Sequence, residues 1–75
     1  MAMKWTQVQS SQINEVGYDA DTNTLGIKFS NGGEYHYANV PAHMHNAMLN
    51  APSVGRYFGE YIKKSPQTFP FSKVN

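Results

Sequence analysis

Gly33-Glu34-Tyr35-His36-Tyr37-Ala38-Asn39-Val40-Pro41 is where this chain changes from sheet to helix. Tyr35 and Tyr37 alternate about His36, the period of a half-buried strand. Pro41 breaks that strand and suits the first position of a helix, where its missing N–H has no intrahelical partner to lose. Val40, Met44, Ala47, Met48 and Ala51 then recur at helical spacing. After Pro52 a second stripe begins with Val54, Tyr57, Phe58, Tyr61 and Ile62, spaced i, i+3, i+4, i+7, i+8. Two amphipathic helices are expected, the first ending near Asn50-Ala51-Pro52 and the second running from a Ser53 cap to Lys63-Lys64 before Pro66.

The residues upstream supply the sheet those stripes must cover. Leu25, Ile27 and Phe29 alternate with Gly26 and Lys28, so one face of that strand is apolar. Ser30-Asn31-Gly32-Gly33 accepts positive φ and signals a hairpin into Glu34–Tyr37. Sharing the face of Leu25, Ile27 and Phe29 puts both tyrosines in the core. Asp19-Ala20-Asp21-Thr22-Asn23 is a second turn. It imitates the start of a calcium loop but has Thr24 in place of the sharp-turn Gly and Ser30 in place of the bidentate Glu. Ile13, Val16 and Tyr18 form a less regular strand in which Gly17 marks a bulge or a close approach. The first ten residues, anchored by Trp5 and Val8, are expected to be a partly ordered lead-in or an edge strand, and Phe69-Pro70-Phe71 with Val74 a tail packed back on the domain. The expected class is α+β: one domain over residues 1–75, its core within 8–74. Its architecture is a three-stranded antiparallel meander, two amphipathic helices and a short aromatic tail.

At 75 residues the chain is small enough that only about 60% of its unfolded surface is buried on folding. It has no cysteine, so neither a disulfide nor a thiolate zinc site holds it together, and ten aromatic residues supply area instead. No apolar run is long enough for a membrane span or a signal-peptide core, which together with the missing cysteines favours the cytosol. The net charge of +1 is unevenly spread. Residues 1–52 carry two lysines against four carboxylates, whereas residues 53–75 carry Arg56, Lys63, Lys64 and Lys73 against Glu60 alone. The basic character sits in the last third, where Arg56, Glu60 and Lys64 at i, i+4, i+8 are also spaced to pair.

The ordered set Ser10-Ser11-x-Ile13, Gly17-Tyr18-Asp19, Leu25-x-Ile27-x-Phe29, Gly33-x-Tyr35-x-Tyr37, Val40-Pro41, Ala51-x-Ser53-x-Gly55-Arg56-Tyr57-Phe58 and Ile62-Lys63 resembles the KTSC domain. That family takes its name from a domain at the C-terminus of some lysyl-tRNA synthetases, and it also occurs as a free-standing small protein in bacteria and phages. Its synthetase context implies RNA binding for this chain. Two departures bear on that implication: Gly59 stands where members often carry Asn, and the segment Phe69–Lys73 lacks the arginines frequent there.

Candidate sites can be ranked by what their chemistry requires. His43 and His45 lie roughly 200° apart on a helix and cannot chelate one ion, and His36 points away from the tyrosine face, so no metal or other cofactor is expected. No nucleophile signature is present, and catalysis is not expected. Ser53, Gly55 and Arg56 form the stronger candidate: a capped helix start, a residue without a side chain and a guanidinium, suited to phosphate or carboxylate. Lys63 and Lys64 extend it, with Lys63 seven residues from Arg56 and so on the same face of a regular helix. Tyr35 and Tyr37 are the alternative, an aromatic platform for unpaired bases. Two functions follow: a non-enzymatic module binding RNA or single-stranded DNA, or a module binding a protein, such as a phage-type protein that engages a host component.

Overall fold

A computed structural model of the chain describes residues 3–74; Met1 and Ala2, at the head of the expected lead-in, and Asn75 lie outside the described residues. Strands β1 (Lys4–Gln7), β2 (Ile13–Asp19), β3 (Thr24–Phe29) and β4 (Glu34–Tyr37) precede helices α1 (Ala42–Asn50) and α2 (Val54–Phe58). α2 continues as a π-helical turn, Gly59–Lys63, and β5 (Phe71–Lys73) follows. All five strands form one antiparallel sheet in the order β1-β2-β3-β4-β5. The α+β class holds, but the three-stranded meander does not: the lead-in takes its edge-strand alternative, and the tail is a strand as well. Each covers an edge of the meander, where unpaired N–H and C=O groups need partners. On the β4 side, Ala38 N–H donates to Pro70 O at 2.9 Å and Val74 N–H to Glu34 O at 2.9 Å.

Both turns are built from the residues that signalled them. Asp19 Oδ1 accepts from Asp21 N–H at 3.0 Å, and Asn23 adopts φ 55°. In the β3–β4 hairpin Gly32 takes φ 97°, while Asn31 Oδ1 accepts from Gly33 N–H at 2.9 Å. The irregularity in β2 lies between Ile13 and Glu15, so the bulge is not at Gly17. Gly17 pairs with Gly26, and the two make a trough on the sheet face away from the helices. The Trp5 ring lies in it: a Cβ added to Gly17 or Gly26 would stand 2.8 or 2.7 Å from that ring. Lys28 Nζ sits 4.3 Å from the centre of the Trp5 rings, adding a cation–π contact. On the same face His36 is half-buried, its Nε2 2.9 Å from Glu34 Oε2, rather than free in solvent.

The other sheet face carries the core. Ile13, Val16, Leu25 and Ile27 from the sheet meet Val40, Met48 and Ile62, all essentially without solvent contact. Each such side chain contributes about 1.5–3 kcal/mol by its burial. The stripe through α1 is narrower than its spacing implies, since Ala47 is exposed and Leu49 packs instead. Pro41 is the N-cap of α1 rather than its first residue, with φ −71° and ψ 156°. Along the second helix Val54, Phe58 and Ile62 are buried, but Tyr61 is 54% exposed. The π-helical turn accounts for that: closing i→i+5 bonds rotates each residue less than an α step does, and the register slips.

Candidate functional site

Of the two candidate tyrosines, Tyr37 is a core residue, 5% exposed, with its ring 5.2 Å from Phe58 and nearly perpendicular to it. Burial pushes its phenol pKa upward, and the neighbouring Tyr35 phenol adds to the effect, so the group stays neutral near neutral pH. Tyr35 is only half-buried, its ring 5.5 Å from Phe29 and 5.7 Å from Phe71. Phe71 stands directly opposite Tyr37 in the β4–β5 pairing, yet remains 53% exposed.

These rings form one side of a cleft of about 620 Å³, within the range of small-molecule sites. Phe29, Tyr35, Tyr37 and Phe71 supply its aromatic lining, and Lys63 and Pro66 line it as well. Gln12, Ser30 and Asn31 provide polar groups. The cleft exists because the helical layer is short. The π-helical turn ends at Lys63, and the chain then turns through Ser65, whose carbonyl accepts from Phe69 N–H at 2.8 Å. Phe69 plugs the core beyond it, leaving the hairpin end of β3 and β4 uncovered. An adjoining hollow of about 350 Å³ shares Tyr35 and Asn31 and is bounded by Lys73, which pairs directly across from Tyr35. Tyr35 therefore borders both cavities, the cleft that Lys63 lines and the hollow that Lys73 lines.

Ser53, Gly55 and Arg56 lie elsewhere. They border a separate polar hollow of about 450 Å³ with the Gln9–Gln12 loop. Ser53 does cap α2, its Oγ accepting from Arg56 N–H at 3.2 Å. The space beside Gly55 is filled by the chain itself, because an added Cβ would stand 3.0 Å from Ser10 Oγ. Arg56 Nε donates to Glu60 Oε2 at 3.2 Å in an exposed i, i+4 pair of the kind worth at most about 1 kcal/mol. Among the described residues there are two ion pairs, Arg56–Glu60 and His36–Glu34, and neither uses Lys63, Lys64 or Lys73. Lys64 is exposed and lines neither the cleft nor the hollows. Slippage through the π-helical turn takes Lys63 off the face of Arg56, so the five residues expected to form one anion site are divided. The structure joins Lys63 to the tyrosines instead.

Phe29, Phe71 and Lys73 were not among the residues singled out as a site. The signal for the last two was present: Phe71 and Lys73 are two apart, the spacing of one strand face, but a segment read as a tail carries no faces. No group of three or more His, Cys, Asp or Glu among the described residues is arranged to hold a metal ion. No helix there is long and apolar enough to cross a membrane.

The fold is a small α+β domain of five antiparallel strands backed on one face by short helices, with a cleft lined by aromatic residues and Lys63. The chain belongs to the KTSC domain family, whose model matches residues 9–65. It is 36% identical to an uncharacterised protein of Stutzerimonas stutzeri over 97% of this chain and 100% of that one. A lysine–tRNA ligase of Trichormus variabilis is 40% identical over 55 residues, 73% of this chain and 10% of the ligase. The crystal structure of a KTSC domain protein from Yersinia pestis is 38% identical and superposes with a TM-score of 0.89, covering 99% of this chain and 100% of that one.

Proposed function

We propose that this protein is a non-enzymatic, cytoplasmic module that binds single-stranded nucleic acid, RNA in particular, through the aromatic cleft. The observation that carries the proposal is the placing of Lys63 on the same cleft as Tyr35 and Phe71. Single-strand binders combine cationic groups that follow the phosphates with aromatic faces on which bases stack. The match to part of a lysine–tRNA ligase, an enzyme whose name ties it to RNA, supports the same direction. The basic last third supplies a favourable field, and among the described residues Lys63 has no carboxylate partner to be pulled from.

The test is a titration of a labelled oligouridylate at several salt concentrations. Each lost phosphate contact on a single strand lowers the slope of log affinity against log salt by about 0.7. Lys63→Gln should flatten the slope by that amount, and should weaken binding more than Arg56→Gln, since Arg56 faces another hollow and is paired with Glu60. Absence of binding at low salt, or a slope unchanged by Lys63→Gln, overturns the proposal. One observation favours a protein partner instead: Tyr61, 54% exposed, lies 4.5 Å from Tyr57 on the outer helical surface. Loss of a protein partner from Tyr61→Ser with the cleft intact would select that second function.

A further inference from the structure

Resting on the single-strand function just proposed, we infer that the cleft seats one unpaired nucleotide taken from within a strand. Its base lies against Tyr35 and Phe71, and its two flanking phosphates lie at Lys63 and Lys73. The geometry carries this in three steps. Tyr35 is shared by the cleft and the adjoining hollow, and each cavity has its own lysine. A nucleotide seated at Tyr35 thus borders two cavities with one lysine lining each, which suits a nucleotide that carries phosphate at both its 5′ and 3′ positions. Second, the aromatic wall is exposed at Phe71, which lies on a three-residue edge strand, so entry of a base displaces little protein. Third, hydrogen-bonding groups surround the rings without being committed. Among the described residues Asn31 uses only Oδ1, accepting from Gly33 N–H, which leaves its NH₂ for a ligand. Ser30 Oγ donates to Ser11 O at 3.3 Å and can still accept, while among the described residues the Gln12 carboxamide has no protein partner. Such groups suit the edge of an unpaired base, which exposes donors and acceptors no longer used in pairing. A terminal nucleotide would use one lysine and leave the other idle. Lys64, outside both cavities, takes no part.

The experiment titrates the whole protein with three probes: uridine 3′,5′-bisphosphate, uridine 5′-monophosphate and the base-free ribose 3,5-bisphosphate. Amide shifts are followed at Asn31, Gly33, Tyr35 and Phe71, with Gly17 and Gly26 on the far side of the sheet as controls. The nucleoside bisphosphate is expected to bind several-fold more tightly than either other probe and to move the cleft amides while sparing the controls. Lys63→Gln or Lys73→Gln should each reduce its affinity to near that of the monophosphate. Phe71→Leu and Tyr35→Leu, which keep apolar volume, should weaken it about fivefold or more through lost stacking while leaving the melting transition cooperative. Equal affinity for the bisphosphate and monophosphate, or for the base-free sugar, overturns the inference. So do shifts centred on the control glycines. If oligouridylate still binds with its Lys63-dependent salt slope in that event, the broader function stands alone; if the oligonucleotide also fails to bind, both fall.

Discussion

Gly26 and Trp5 should show strong energetic coupling, with the effect of one substitution changing sign according to the other. Gly26 has ordinary backbone geometry, since among the described glycines only Gly32 adopts positive φ. Replacing such a glycine by alanine normally stabilises a protein by about 0.4–1 kcal/mol, because the unfolded chain has fewer conformations to lose. Here the added methyl would stand 2.7 Å from Trp5 Cη2 and 3.3 Å from Cζ2, too close for the ring to stay. Pushing the ring out of its trough also disturbs its contact with Lys28 Nζ at 4.3 Å. Overpacking of that kind costs about 1–3 kcal/mol. Met3 crowds the same point, but its side chain is flexible and can move aside once the ring is gone. Gly26→Ala should therefore destabilise the natural protein and stabilise the Trp5→Ala variant, a coupling of about 1.5–4 kcal/mol. Urea denaturation followed by far-ultraviolet circular dichroism reads all four members of the cycle without relying on tryptophan emission. With a urea slope of about 1 kcal/mol/M for so short a chain, the midpoint should fall by about 1 M or more in one background and rise in the other. Equal shifts of the same sign in both backgrounds would refute the claim that Trp5 is what excludes a side chain at Gly26.

Tyr37→Ala should cost about 3–5 kcal/mol, enough to approach complete unfolding of a domain this size, whereas Tyr35→Ala should cost distinctly less, because its ring is only half-buried; thermal melts compare the two. The His45 ring stacks on Tyr18 at 4.6 Å with its Nε2 buried and, among the described residues, unpartnered, and burial lowers its pKa from the ordinary 6.5. The neutral form is thus favoured on folding, so this contribution to stability is present above pH 6.5 and is lost as pH falls through that value toward the folded pKa; His45→Phe should remove that part of the pH dependence in denaturation series. Gly59→Ala should raise stability by about 0.5–1 kcal/mol, because Gly59 has helical φ −64° and ψ −38° with nothing within 4 Å of an added Cβ; a loss of stability in the same assay would mean that the π-helical turn depends on glycine.

What the sequence made legible follows the strength of its periodic signals. β3 and β4 were readable because Leu25, Ile27, Tyr35 and Tyr37 alternate across a hairpin whose Asn31-Gly32 turn needs the φ those residues allow. β1 was readable only as one alternative, an edge strand or a partly ordered lead-in, and β5 not at all, for they are four and three residues long and mostly exposed. Each has a single large apolar anchor, Trp5 in β1 and Phe71 in β5, too few to leave an apolar alternation. Their place is set by the edges of the meander, and an edge demands backbone partners without specifying side chains. Gly17 shows the same limit differently. Its sequence permits a bulge or a close approach, and only the cross-strand register with Gly26, which no local pattern encodes, turns two separate glycines into a seat for Trp5.

The division of the basic residues has one physical origin. On a regular α-helix seven residues return to within about 20° of the starting face, which would bring Arg56 and Lys63 together. From Gly59 onward the bonding is i→i+5, and the accumulated rotation falls short. Burial accounts for the helix remaining in this state: Phe58 and Ile62 both reach the core across the slip, and Phe58 meets Phe29 and Tyr37 edge-on at 5.8 and 5.2 Å. Restoring regular α geometry would turn the residues after Gly59 about the axis and move Ile62 relative to the core it fills. Two buried side chains thus hold an irregular turn, and the irregular turn sets Lys63 on the cleft that Tyr35 lines rather than on the face of Arg56. A helix-wheel reading of the same residues puts the cation on the wrong side of the domain, so the chemistry of this surface depends on a backbone feature that residue spacing cannot express.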